Sequence, residues 1–129
     1  YCSSLTHIDI HMCSYIGEAA FQDCSSLTQI DIPICSYIGD KAFQGCMKLS
    51  QVDLPVCRNI GWATFQNCSS LSIITIGYSG VCNLNNSNAF YSTQITSSTG
   101  SIYVPASLVD AYKSAENWSY FSTQIFPIE

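Results

Sequence analysis

Charge is what this chain has least of. Only 10% of its 129 residues are charged, against roughly 25% in ordinary globular proteins. The four basic residues, Lys41, Lys48, Arg58 and Lys113, are scattered. A surface that neutralises phosphates needs clustered cations, so nucleic acid is excluded as a partner. No apolar run approaches the roughly 20 residues of a spanning helix, so no membrane insertion is expected of this segment. Catalytic signatures are missing as well: there is no G-x-S-x-G, H-E-x-x-H or P-loop. The expectation is a protein that is not an enzyme and uses no cofactor. There is no signal peptide, and the chain starts at Tyr1 rather than Met. It reads as a piece of a longer or processed protein.

What the chain does have is a repeat. Cys2, Cys24, Cys46 and Cys68 stand at intervals of 22, as do Leu5, Leu27, Leu49 and Leu71. Ile8, Ile30, Val52 and Ile74 keep the same step, followed by Ile10, Ile32, Leu54 and Ile76. A second cysteine series, Cys13, Cys35 and Cys57, precedes the pairs Ile16-Gly17, Ile38-Gly39 and Ile60-Gly61, and then Phe21, Phe43 and Phe65. The unit is C-x-x-L-x-x-I-x-I-x-x-C-x-x-I-G-x-x-x-F-x-x. A fixed period of this length is the mark of a solenoid.

Within a unit, Ile8-Asp9-Ile10 alternates apolar, polar, apolar, the period of a half-buried strand. The Ile-Gly pair reads as a shorter extended piece ending in a glycine turn. The residues before each Phe suit one helical turn that drops the ring into the core. One unit cannot bury its own apolar side, but a stack can, with coils about 4.8 Å apart in a parallel ladder. The expected fold is an α/β solenoid: a right-handed coil with a parallel β-sheet on one face, short helical turns on another and a C-terminal helical cap.

The fourth unit is irregular from residue 77. Polar stretches at 83–88 and 96–101 read as inserted loops. Ile102-Tyr103-Val104-Pro105 restores the strand, so residues 1–105 form the solenoid and 106–129 the capping segment. Ser107 to Asp110 resembles a capping box opening a helix from about Leu108 to Asn117, with Leu108, Tyr112 and Ala115 on one face. The aromatic tail from Trp118 to Ile128 covers the last apolar rung. At the other end Tyr1-Cys2 enters the repeat in mid-unit, so more repeats are expected before Tyr1.

These residues resemble the BspA-like leucine-rich repeats of bacterial surface proteins, whose unit is similar to L-x-x-I-x-I-P-x-x-v-x-x-I-G-x-x-A-F-x-x-C. Leu27, Ile30, Ile32, Pro33, Ile38-Gly39, Ala42-Phe43 and Cys46 carry the likeness. Tyr103 to Lys113, with Asn117-Trp118, is similar to the family's closing segment. The cysteine after the strand departs from the aliphatic residue or threonine found there in the family. The resemblance implies a leucine-rich-repeat fold, no shared active site, and a cell-surface or secreted module for adhesion or protein recognition.

The regular cysteines read as two ladders of buried free thiols. Parallel Cα–Cβ vectors do not suit a disulfide, and a line of sulfurs does not suit tetrahedral zinc. Cys82, outside both ladders, is the thiol expected to be exposed. His7, Asp9 and His11 share the outward face of a strand and could hold a metal only with help from Asp31; a solvated face is the reading, with no metal site. Cys13 beside His11 has the makings of a thiol–base pair, but its ladder position gives it a packing role. Asp9, Asp31, Asp53 and Thr75 form an outward column beside His7, Gln29 and Gln51, and this polar strand face is the candidate binding surface. The alternatives are a carbohydrate-binding or phage-tail receptor-binding module, or a structural spacer. Exposed aromatics in the loops would favour sugar stacking, with Tyr78 and Tyr91 as candidates and Phe90 and Tyr103 to be inspected. The expected partner is a protein or glycan on a host or neighbouring cell surface.

Overall fold

A computed structural model describes residues 4–97 and 99–128. The chain winds through coils that each lay down two strands. In order these are β1 (His7–Asp9), β2 (Tyr15–Ile16), β3 (Gln29–Asp31), β4 (Tyr37–Ile38) and β5 (Gln51–Leu54). They continue with β6 (Asn59–Ile60), β7 (Ile73–Ile76), β8 (Asn83–Leu84), β9 (Ser101–Val104) and β10 (Ile125–Pro127). The odd-numbered strands and β10 line one face, in a two-stranded sheet β1-β3 and a four-stranded sheet β5-β7-β9-β10. The short strands β2-β4-β6-β8 form a second parallel sheet. Ile8 pairs with Ile30, and Val52 with Ile74. The sequence period therefore becomes the ladder register, with the apolar strand residues buried and the residues between them outward.

The core is a set of columns. Phe21, Phe43, Phe65 and Phe90 stack with centroids 5.5, 5.7 and 5.9 Å apart and planes within 11° of parallel. An amide ladder accompanies the rings: Gln22 Nε2 donates to Gln44 Oε1 at 2.6 Å, and Gln44 Nε2 to Gln66 Oε1 at 3.0 Å. The turn before each Phe differs from the single helical turn expected. In the three regular coils it is a hydrogen-bonded turn with a left-handed residue at Ala19, Lys41 and Ala63. The fourth coil carries a 3-10 helix, Ser87–Phe90. A left-handed residue interrupts helical winding at once, which lets the chain reverse within four residues. Gly39 and Gly61 answer a different need from the turn expected of them. A Cβ on Gly61 would fall 2.6 Å from Asp40 N and 2.7 Å from Gly39 C. Stacked coils approach too closely here for any side chain.

Among the described residues the seven cysteines form no disulfide; Cys2 lies outside them. Cys46 and Cys68 donate to carbonyls of the preceding coil, Phe21 O and Phe43 O. Cys82 corrects the expectation of an exposed thiol: it is fully buried. The insertion explains why. Five residue steps separate Leu54 from Asn59, whereas seven separate Ile76 from Asn83, yet Asn59 pairs with Asn83. Leu54 to Phe65 is 11 steps and Ile76 to Phe90 is 14, so the fourth unit carries three extra residues, of which two precede β8 and one follows it. Residues 83–84 form a strand rather than a loop, and Cys82 sits against the thiol of Cys57.

Burial pushes the Cys35 thiol up to about 11 from 9.0. The Cys46–Cys68 contact raises Cys68 and lowers Cys46, and the Cys57–Cys82 contact raises Cys82 and lowers Cys57, so Cys35 is the thiol whose shift has no opposing partner. A thiol whose pKa is raised by folding stabilises the fold fully below its unfolded pKa. That contribution is lost as pH rises through the folded one. Thermal melts should therefore hold steady up to pH 9.0 and fall between there and about 11, with Cys35 alone contributing on the order of 2 kcal/mol. A melting temperature unchanged across that range would contradict neutral buried thiols.

The cap is shorter in helix and longer in reach than expected. The α-helix α1 runs only Val109–Ser114, after a 3-10 turn Ala106–Leu108, and no side chain caps its N-terminus. The capping box at Ser107 does not form. A further 3-10 segment, Trp118–Gln124, kinked at Phe121, leads into β10, which pairs in parallel with β9. Tyr112 is buried, and Leu108 and Ala115, which flank α1, are partly buried against the same core. Cap side chains take up polar groups near β8: Cys82 N donates to Tyr112 Oη at 2.8 Å, Trp118 Nε1 to Cys82 O at 2.7 Å, and Asn117 Nδ2 to Leu84 O at 2.7 Å.

Candidate functional site

The outward residues of the odd-numbered strands stand in register. Asp9 faces Asp31, and Asp53 faces Thr75. Thr75 then faces Tyr103, and Tyr103 faces Phe126. The column thus turns from carboxylate to aromatic along the stack, and Tyr103 packs against Phe126 with centroids 6.1 Å apart. His7 lies beside Gln29, and Gln51 beside Ile73. All seven polar residues of this face reach solvent, with Asp31 and Thr75 half-buried.

Among the described residues no ladder joins β3 to β5, although β4 and β6 pair behind them. The strand face is parted at this point by a groove of about 610 Å³. Gln29 and Asp31 line one wall, Gln51 and Asp53 the other, with Thr28 and Ser50 at one end.

Like charges stacked along a sheet repel. At the start of the column His11 offsets this, with Nδ1 2.8 Å from Asp9 Oδ1 and Nε2 3.2 Å from Asp31 Oδ2. In its protonated form the imidazole donates from both nitrogens and bridges the two coils. Its place two residues beyond Asp9 was the available signal, but β1 ends at Asp9 and His11 lies in the turn that follows; the bridge itself depends on the stacking. Asp9, His11 and Asp31 each offer one metal-ligand atom, all within 4.8 Å of one another. The imidazole nitrogens, however, are both taken up by the carboxylates. Cys13 Sγ donates to Tyr15 O at 2.8 Å instead of approaching His11, so the pieces of a thiol–base pair do not come together.

The loop aromatics separate into different environments. Tyr78 packs against the core with the Arg58 guanidinium 5.4 Å from its ring centroid. Phe90 is fully buried as the last ring of the stack. Tyr91 alone of the four stands well exposed, at 57%.

No curated protein matches this chain. Its fold is similar to the crystal structure of a leucine-rich repeat protein from Bacteroides ovatus, with a TM-score of 0.76 and 26% sequence identity. That match covers 99% of this chain but 31% of the other, so the chain spans about a third of its relative's length. A family model, the BspA type leucine rich repeat region, matches residues 1–117 in 6 copies. With nearly all of its length accounted for by that repeat, the chain belongs to the BspA-type leucine-rich repeat family.

Proposed function

We propose that this chain is a recognition module of a cell-surface or secreted protein, and that it holds a protein partner on its exposed strand face. The groove between β3 and β5 carries this reading. It has a carboxylate on each wall, Asp31 and Asp53. Solenoids present their ligands with such extended surfaces. The chain's net charge of −5 adds a long-range field of the same sign. The partner that fits is a protein segment bearing lysine or arginine, drawn in by the field and fixed by the two carboxylates.

The test is binding to immobilised surface proteins by the chain and by an Asp31→Asn, Asp53→Asn double variant. Binding should weaken by about tenfold in the double variant, chiefly through a slower and less salt-sensitive association. Binding that survives both substitutions at full strength would remove the strand face as the site.

A further inference from the structure

A second concavity, of about 370 Å³, lies where the fourth coil meets the cap. Its rim carries Tyr91 and Tyr120, which are 57% and 75% exposed, and Phe121 lies between the coil and the rim. Its polar groups are amides and hydroxyls, from Asn88, Thr96 and Gln124 among others, and among the described residues no carboxylate, amine or guanidinium lines it. Large aromatics standing this far out of a surface lose water contact only when something covers them, and two beside one hollow form a binding feature rather than scattered exposure.

The polar groups are already partly committed. Asn86 Oδ1 accepts from Asn88 N, and Gln124 Nε2 donates to Gly100 O at 3.0 Å. Thr96 Oγ1 donates to Thr93 O at 3.0 Å. The exception is Asn88, whose Oδ1 is buried with no hydrogen-bond partner. A buried acceptor left unpaired costs about 1–3 kcal/mol, and a ligand hydroxyl would relieve it after a small side-chain rotation.

We infer that this hollow binds the terminal sugar of a neutral carbohydrate. The electron-rich faces of Tyr91 and Tyr120 suit the partly positive C–H face of a pyranose. The amide and hydroxyl groups suit its hydroxyls, and the uncharged lining offers nothing to a phosphate, sulfate or carboxylate. The volume falls at the small end of ligand sites, the size for one or two sugar units. The site is separate from the strand-face groove and needs no residue of it.

The test is a glycan array carrying neutral hexose- and N-acetylhexosamine-terminated glycans beside sialylated and sulfated ones, probed with the intact chain. Binding to a subset of the neutral glycans is expected. It should fall at least about tenfold in Tyr91→Ala and in Tyr120→Ala, since losing one aromatic anchor costs upward of 1.4 kcal/mol. Both side chains are exposed, so their melting temperatures should stay at the parent value. Asn88→Ala should weaken binding, and Asp31→Asn with Asp53→Asn should leave it unchanged, which separates this site from the strand face. Absence of any neutral-glycan signal, a signal confined to acidic glycans, or one that persists in both tyrosine variants would overturn the inference.

Discussion

Phe65→Ala should destabilise the chain by about 3–5 kcal/mol, lowering its melting temperature by on the order of 10–20 °C. Phe65 is fully buried between two parallel rings, 5.7 Å from Phe43 and 5.9 Å from Phe90. Removing it takes away the ring's own burial and one surface of each neighbour's contact. The cavity cannot close easily, because the coils on either side are held at fixed spacing by backbone bonds. Phe65 N donates to Ala89 O and Phe43 N to Thr64 O, both at 2.9 Å. Phe21, half-buried with Phe43 as its stacking partner, supplies the comparison: Phe21→Ala should cost clearly less. Urea unfolding of both variants checks the order. Equal losses would mean that the ring column does not carry the core.

The columns were readable because one residue in each unit repeats one physical role. Ile8, Ile30 and Val52 predict a buried strand position by alternation alone, and their neighbours Asp9, Asp31 and Asp53 predict an outward column. The same logic ran too far with Cys82. Its spacing removed it from the ladder, yet strand pairing forced Asn83 back into register with Asn59 and carried the thiol inside with it. The final strand was illegible for another reason. Ile125-Phe126-Pro127 is too short to show a period, and it becomes a strand by pairing with β9. The helix signals at Ser107 and Asp110 were local, and the packing of Tyr112 and Trp118 decided the cap instead.

Of the candidate site, the register of the strand face followed from the period, but its groove did not. A 22-residue repeat predicts equal spacing at every step. The parting of β3 from β5 arises between two units that share the same apolar pattern, Gln29-Ile30-Asp31 against Gln51-Val52-Asp53, so the pattern alone does not reveal it. The tyrosine pair at the cap was half visible. Tyr91 stood out as a loop aromatic, while Tyr120 lay in a tail assigned wholly to covering the core, where exposure cannot be read from composition.

Trp118→Ala is the second large effect expected, about 3–5 kcal/mol, and its location in the stack should distinguish it from Phe65→Ala. Trp118 closes the ring column, with its centroid 5.9 Å from Phe90 and its edge-on partner Tyr112 at 5.3 Å. Its Nε1 also donates to Cys82 O in the buried seam between coil and cap. Trp118→Phe separates the two contributions: most of the packing survives, but the Cys82 carbonyl is left unpaired, for about 1–3 kcal/mol. In a quasi-one-dimensional stack each coil is stabilised by its neighbours, so damage at the cap should spread inward and fade. Amide hydrogen exchange on Trp118→Ala should show β8, β9 and β10 losing protection first, while β2 and β4 keep most of theirs. Uniform loss along the whole chain would mean that the coils unfold as one unit, and protection lost first at β2 would mean that the cap is not what holds this end closed.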